Sequence, residues 1–465
     1  MATLGQRRAT IVAMEENTLA ILDSAEAKDT QDANDDRIAY LNAVRLASIL
    51  ADSPSPPTNK MAEAVFQILR VGKSLESIME SFRLLNELEN CYPPAYVSNM
   101  DTSGSPILVV VEEAWSPFGF GSDVARSGKE PAAEIPLGPI DASGFHLLIQ
   151  GLVEVADEAN FQALDLKAIR RMLLFQYIVN ALKGDFVPRN CVYKDTMNWN
   201  LLRESLLNML LGSRRIIYKN LMKDCLSIMC GFQISNNFEC SENPEAASGD
   251  DTALAIAVLE ARKSTCIAMQ KLLTIIMELD MSKNKAEMQG CTTRADGVRT
   301  PLVEIILDEL TYDQDMLSQF LQNHLQVFTE PKWKLEIILR YFSKYTAKPS
   351  VHTRRSNGCT DDVTFNGVLR RLMDSTSSRN IIKKISTEVV QLLVAHAFQA
   401  HLSRSCQNFD GINDSDEVKA TPLTEICKNL VSAFRSLRRM DEKMDILPFA
   451  KEALFTAATI LSPKS

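Results

Sequence analysis

The chain is poor in the residues and spacings that metal sites and disulfide frameworks use. It has only five histidines among 465 residues, and its ten cysteines form no CxxC pair. Because zinc sites and secreted disulfide domains space their cysteines more regularly, the pattern argues against both. We interpret the cysteines as reduced thiols packed like small hydrophobic side chains, which is typical of the cytosol or the nucleus.

Long hydrophobic runs are also missing. The longest purely aliphatic run, residues 107–111, is far shorter than the roughly 20 residues that span a bilayer. Near the N-terminus, residues 11–14 are apolar, but Glu15 ends that run before it reaches the length of a secretory signal. We therefore expect neither secretion nor membrane insertion.

No catalytic or nucleotide-binding motif is complete. Gly119 and Gly121 begin a GxG pattern that fails at Val124, and Gly128-Lys129 is followed by glutamate where a phosphate-binding loop needs Ser or Thr. Neither the GxSxG elbow of hydrolases nor the HExxH spacing of zinc proteases occurs. We therefore assign no catalytic, cofactor-binding or metal-binding residues and predict that the protein is not an enzyme and needs no cofactor.

Helical periodicity dominates the chain, with apolar residues recurring at i, i+3, i+4 and i+7. Strand evidence is confined to 106–115, which could equally open a helix. The periodicity predicts an all-α protein with helices at about 32–51, 60–71, 74–90, 143–158, 162–183, 197–212, 214–230, 252–280, 301–311, 313–328, 331–345, 378–403, 422–438 and 440–461. Prolines at 301, 331 and 422 mark three helix starts, with Thr300 expected to cap the first.

The segment 331–345 shows why stacked helices are expected. Leu335, Ile338 and Phe342 share one face, while Trp333 and its i+4 and i+8 neighbours form a second apolar stripe. A helix needs such a wide apolar arc when it is sandwiched between neighbours. The predicted architecture is therefore an irregular armadillo/HEAT-like helical solenoid with exposed loop insertions, although no repeat of 40–47 residues is visible. Trp333 is predicted to be buried between helices.

The loops divide the predicted solenoid into regions. Segments 121–141, 235–250, 346–362 and 405–420 are rich in Gly, Ser, Asn, Asp or Pro and lack periodic apolar residues. We predict an N-terminal helical region (1–120), a flexible loop (121–141) and a central helical stack (142–345). A basic loop (346–362) and a C-terminal helical region (363–465) follow. One continuous solenoid is the expectation.

The charge is unevenly distributed along the chain, whose net charge is −9. Residues 332–404 hold 13 Lys and Arg against five Asp and Glu, so the rest of the chain is strongly acidic. A basic stretch of this kind can contact an acidic partner or a DNA backbone, or can consist of solvated helix faces. The candidate contact residues are Arg354, Arg355, Lys383 and Lys384.

A series of short blocks gives the chain a family resemblance. They are ENTLAILDS (16–24), DANDDR (32–37), PPTNKM (56–61), EAWSPFGFGS (113–122), TMNW (196–199), LMKD (221–224), IIMELD (275–280), DGVRTPLVEIILDELTYD (296–313), PKWKLEI (331–337) and ILPFAKEALFTA (446–457). In this order they closely resemble the plant negative regulators of systemic acquired resistance. The resemblance runs nearly end to end, with departures at NHLQ (323–326), at His352 and in the loops 235–250 and 405–420.

The resemblance implies a biological role that composition and periodicity do not reveal. It implies an armadillo-like nuclear protein that represses pathogenesis-related genes in plant defence. It also implies a subunit of the SMC five/six complex that acts in DNA repair and recombination beside a second helical non-SMC element. The partners expected are thus the SMC five/six subunits, with chromatin or DNA contact as an alternative, and no membrane or small-molecule substrate.

Two interpretations of the segment 296–301 stay open at the level of sequence. The polar residues of GVRTP could contact a partner, because polar residues in loops often carry function. They could equally be the residues that mark the start of a helix.

Overall fold

The computed structural model describes most of the chain as two compact units, one ending at Ile305 and one beginning at Ile306. The residues that it describes are 31–98, 106–120, 138–157, 165–238, 249–297, 299–312, 330–345, 364–407, 422–442 and 444–462. Arg354, Arg355 and the predicted helix 313–328 lie outside these ranges, as do most residues of the four predicted loops.

The first unit is built from helices and one β-hairpin. In chain order its elements are α1 (Gln31–Arg45) with a π-helical end (Leu46–Leu50), α2 (Asn59–Val71), α3 (Leu75–Cys91), β1 (Ala95–Ser98), β2 (Ile107–Val110), α4 (Ala142–Asp157), α5 (Leu166–Thr196), α6 (Trp199–Arg203), α7 (Leu206–Leu211), α8 (Tyr218–Phe238), α9 (Gly249–Met288), a 3-10 turn (Arg294–Asp296) and the start of α10 (Leu302–Tyr312).

Short polar side chains fix where several of these helices begin. Thr58 accepts a hydrogen bond from the amide of Met61, Ser74 accepts one from Ser77, and Asp165 accepts one from Ala168. Each bond satisfies an amide that the first helical turn leaves without an intrahelical partner. The starts of α2, α3 and α5 are therefore determined by residues within the first turn of each helix.

Helix α5 is the central element of the first unit. It contacts α2, α3, α4, α6, α7, α9 and β1, and residues on all its faces are buried. Polar bonds lock it to α9: the Gln176 amide donates to Thr265 Oγ1 at 3.0 Å, and the Tyr193 hydroxyl donates to the Ser282 carbonyl at 2.9 Å. Buried polar groups need such partners, so α5 and α9 are held in one register.

The hairpin corrects the expectation that no sheet forms. Strand β1 pairs antiparallel with β2, with Tyr96 opposite Val109. Four residues of the apolar run, Ile107–Val110, thus form a strand, and its partner is the Ala95–Ser98 segment that follows α3. The hairpin packs against α5, which supplies the apolar surface that an isolated pair of strands lacks.

In the part of the second unit that the structure describes, the end of α10 is followed by six helices. These are α11 (Pro331–Tyr345), α12 (Phe365–Met373), α13 (Ser375–Ile382), α14 (Thr387–Gln407), α15 (Leu423–Met440) and α16 (Pro448–Leu461). Helix α11 packs against α14, α12 against α15, and α15 and α14 against α16. The predicted burial of Trp333 is confirmed, since 5% of its surface is exposed, and Ile337 and Tyr341 of the same stripe are also buried.

The predicted all-α class and the irregular helical solenoid are confirmed, while several predicted boundaries are wrong. Helix α5 continues past 183 to Thr196, although Pro188 lacks one amide donor inside it. The predicted helices 197–212 and 378–403 each divide in two, and α12 was not predicted. Three helices extend into the predicted loops: α8 continues to Phe238, α9 begins at Gly249, and α14 continues to Gln407. No helix in the described ranges combines the length and hydropathy that crossing a bilayer requires.

Candidate functional site

Lys383 and Lys384 lie at the surface of the second unit, in the turn that joins α13 to α14. Both side chains are exposed, as is Arg379 one turn earlier. The turn is fixed by its backbone, because the amides of Lys383 and Ile385 donate to the carbonyls of Arg379 and Ile381. The structure thus places two of the four predicted contact residues together, at the helix end where cations are favoured.

The segment 296–301 belongs to a polar network inside the first unit. Asp296, whose side chain is 2% exposed, accepts hydrogen bonds from Arg203 Nε at 2.7 Å and Arg203 Nη2 at 2.9 Å. It also accepts bonds from Trp199 Nε1 at 3.1 Å and from the amide and hydroxyl of Thr293. Burial by itself would raise the pKa of Asp296, but these donors hold that pKa well below its usual range.

The next residues of the segment are held by groups on α9. Lys283 is buried, and its ammonium donates to the carbonyls of Asp296 at 2.8 Å and Gly297 at 2.7 Å. Burial lowers the pKa of Lys283, and the nearby Arg299 guanidinium lowers it further. Gly297 adopts a φ of +64°, in the left-handed region that favours glycine. The backbone is thereby turned so that two carbonyls meet one ammonium.

Asp280 on α9 organises the start of α10. Its carboxylate accepts bonds from Arg299 Nε at 2.8 Å and from the Leu302 amide at 2.8 Å. The Tyr218 hydroxyl donates to the same carboxylate at 3.3 Å, and the Arg299 guanidinium lies over the Tyr218 ring at 5.2 Å. The predicted cap was wrong: α10 begins at Leu302, after Pro301, and the acceptor is Asp280 rather than Thr300.

These groups line one wall of an open cleft of about 840 Å3 in the first unit. The other walls come from the segments 119–120, 141–142 and 208–216. Its charges are mostly paired, since Arg203 binds Asp296 and Arg215 binds Asp141 at 2.7 Å. Because its two carboxylates, Asp141 and Asp296, are already bound to guanidinium groups, they are poor candidates for a general base. The segment 296–301 leads into the start of α10, as one of the two interpretations predicted, and a partner contact by this segment stays a prediction.

One of the five histidines, His396, lies in the core of the second unit. His396 on α14 is 2% exposed, and its ring lies 4.2 Å from that of Phe449, centroid to centroid. Burial lowers the pKa of His396 to about 3, with a smaller effect from Lys334, so the imidazole is neutral. Within the described residues no group of three or more His, Cys, Asp or Glu side chains could hold a metal ion.

Comparison with known proteins identifies the family. A family model described as the SNI1 middle domain matches residues 94–330, and one described as the SNI1 C-terminal domain matches residues 346–465. The chain belongs to the SNI1 family. The resemblance recognised in the sequence is thereby confirmed.

A relative in this family comes from Arabidopsis thaliana. Its name is "Negative regulator of systemic acquired resistance SNI1", and it is 46% identical over 454 residues, which is 97% of this chain and 95% of the relative. No solved structure matches the chain. The polar network and its cleft lie in the part matched by the SNI1 middle domain, whereas Lys383 and Lys384 lie in the part matched by the C-terminal domain.

Sequence reasoning missed the three residues that hold the network together. Arg203, Asp280 and Lys283 contact Asp296, Gly297 and Leu302 from α6 and α9. Asp280 ends the block IIMELD and Asp296 begins the block DGVRTP, so family resemblance marked both. Nothing in their spacing indicated that they serve the same turn.

Proposed function

We propose that this chain is a non-catalytic nuclear scaffold subunit of the SMC five/six complex and a negative regulator of systemic acquired resistance. The observation that carries the proposal is the 46% identity to the Arabidopsis regulator across 97% of this chain. Identity at that level and coverage makes a shared role the simplest expectation. The assignment to the SMC complex rests on the family resemblance.

The use of charge inside the first unit supports a structural rather than a catalytic role. The carboxylates of Asp280 and Asp296 each have an oxygen 2.7 Å from an arginine guanidinium nitrogen. Each also accepts a hydrogen bond from a backbone amide. Carboxylates saturated in this way stabilise a turn and are poor proton acceptors. They give the helices a fixed arrangement on which partner surfaces can be displayed.

The scaffold proposal predicts co-purification. A tagged copy expressed in plants and purified from nuclei should recover SMC-type ATPases together with a second helical non-SMC subunit. Recovery of this chain alone, under conditions that keep other SMC complexes intact, would contradict the proposal. A tagged nuclear protein of similar acidity but unrelated sequence serves as the control for nonspecific capture.

A second candidate function is direct contact with the DNA backbone through the basic stretch 332–404. The observation that favours it is the exposure of Lys383, Lys384 and Arg379 in one turn of the second unit. Lysines and arginines that neutralise phosphates release counterions, which makes the affinity depend steeply on salt. DNA contact of this kind would be independent of sequence.

We predict that replacing Arg354, Arg355, Lys383 and Lys384 by glutamine flattens the salt dependence of duplex binding. Each lost phosphate contact should reduce the slope of log affinity against log salt by about 0.9, and so by roughly 3–4 for all four. Fluorescence anisotropy with a labelled duplex at several salt concentrations measures the slope. The control carries glutamine at four exposed lysines of the first unit, Lys60, Lys167, Lys194 and Lys219. An equal slope in both variants, or no duplex binding at low salt, would rule this function out.

A further inference from the structure

A second cleft of the first unit, of about 870 Å3, is lined by aromatic rings and by acids. It lies where the end of α3 meets the hairpin and the start of α2. The rings of Tyr92, Tyr96 and Trp115 line it. Three glutamates, Glu89, Glu112 and Glu113, also line it, and none of the described residues in its lining is a lysine or an arginine. The cleft is therefore apolar and negatively charged.

Glu89 occupies an unusual position in this cleft. Its Oε1 atom is buried and has no hydrogen-bond partner among the described residues. Helix α5 passes beside it at Gly184, where an added Cβ would lie 3.2 Å from Oε1. A half-buried carboxylate whose buried oxygen has no partner is costly, so its position in the wall of a cleft points to a ligand that supplies the missing charge.

The aromatic rings beside Glu89 are held in place by their neighbours. Trp115 stacks on Tyr177 with ring centroids 6.3 Å apart, and its edge meets Phe66 at 5.4 Å. The hydroxyl of Tyr92 donates to the Ser48 carbonyl at 2.6 Å. Rings that are fixed in this way can accept a cation or its alkyl stem without an ordering cost.

We propose that this cleft binds a lysine or arginine side chain from a basic segment of a partner protein. The Glu89 carboxylate would be the counter-ion, and the rings of Tyr92, Tyr96 and Trp115 would contact the alkyl stem and the cationic head. Glu112 and Glu113, both exposed at the rim, would attract the basic residues that flank the bound lysine or arginine in the partner's segment. This inference goes beyond the proposed function and does not depend on the SMC assignment.

The protonation state of Glu89 gives the proposal a pH signature. Burial, together with the nearby Asp185 carboxylate, raises the pKa of Glu89 to about 7. Among the described residues, the other titratable groups that line the cleft are Tyr177 on α5, Tyr96 on β1, Cys91 and Tyr92 at the end of α3, and the two rim glutamates. A cation binds the ionised carboxylate, so its affinity should rise as the pH rises from 6 to 8.

The experiment uses the full-length chain and a short peptide, acetyl-Ala-Lys-Ala-amide, with its acetyl-lysine analogue as a neutral control. Binding is followed by chemical shifts of the Trp115 indole, assigned with a Trp115→Phe variant. We expect saturable binding of the lysine peptide that strengthens several-fold from pH 6 to pH 8 and at least tenfold weaker binding of the acetylated peptide. Equal shifts with both peptides, or no shift at millimolar lysine peptide, would overturn the proposal.

The matched variants are Glu89→Gln and Glu76→Gln, which change a half-buried and an exposed glutamate of the same helix. Glu89→Gln should lower the affinity for the lysine peptide about tenfold and remove the pH dependence of that affinity. Glu76→Gln should change neither the affinity nor its pH dependence. Because glutamine keeps the shape of the side chain, the Glu89 variant should fold, and its melting temperature at pH 8 checks that it does. Unchanged peptide binding by a folded Glu89→Gln protein would show that Glu89 is not the counter-ion.

Discussion

Asp296→Ala should destabilise the first unit by about 2 kcal/mol, because truncation leaves the buried Trp199 indole and the partly exposed Arg203 guanidinium without their acceptor. The Arg203 guanidinium, Trp199 Nε1 and the Thr293 amide all donate to this carboxylate. The measurement is the free energy of unfolding from urea titration, followed by hydrogen exchange of the Leu302 amide, whose protection reports the start of α10. We expect both to fall.

Asp195→Ala is the control for the Asp296 variant, because Asp195 is an exposed carboxylate at the end of α5. It should change the unfolding free energy by less than about 0.5 kcal/mol. The pH dependence has a definite sign, since the folded pKa of Asp296 lies below its ordinary value of 3.8. Its contribution is present in full above that value and is lost as the pH falls below it. Equal stability of the Asp296 variant and the wild-type protein at pH 7 would contradict the structural role of the network.

Trp333→Ala should destabilise the second unit by about 3–5 kcal/mol, the usual cost of truncating a buried tryptophan. The ring is 5% exposed and belongs to a stripe with Ile337 and Tyr341, which are 1% and 3% exposed. The loss leaves a cavity that the packed helices can fill only in part. Urea unfolding measures the change, and we expect reduced solubility before any partner contact is affected.

Phe455→Ala is the matched control for Trp333, because Phe455 is a large aromatic residue of the same unit that is 76% exposed. Its truncation should leave the unfolding free energy nearly unchanged. A Trp333→Ala protein with normal stability but weakened partner binding would show that Trp333 is an interface residue instead.

The wide apolar arc of α11 shows what the sequence could predict. Two stripes at helical spacing predicted a helix buried on several sides, and both stripes are buried. Pro331 correctly marked the first residue of this helix. Such features are local, since residues three or four positions apart decide them.

The start of α10 shows what the sequence could not predict. Its cap, Asp280, lies 22 residues upstream on another helix, so local capping rules pointed to Thr300 instead. The aromatic cleft likewise assembles from α2, α3, α5 and the hairpin, and no local pattern indicated that Glu89 and Trp115 line the same cleft. In both places tertiary packing decides which polar groups meet.

The most direct test of the central claim, that this chain is a stable subunit of an SMC complex, is size-exclusion chromatography of the nuclear eluate. The proposal predicts that the chain elutes with the SMC-type ATPases and the second helical subunit in one peak of fixed stoichiometry, even at 0.5 M salt (on the order of three times physiological ionic strength). Elution of the chain at the size of an isolated 51.8 kDa protein, apart from intact SMC complexes, would contradict it.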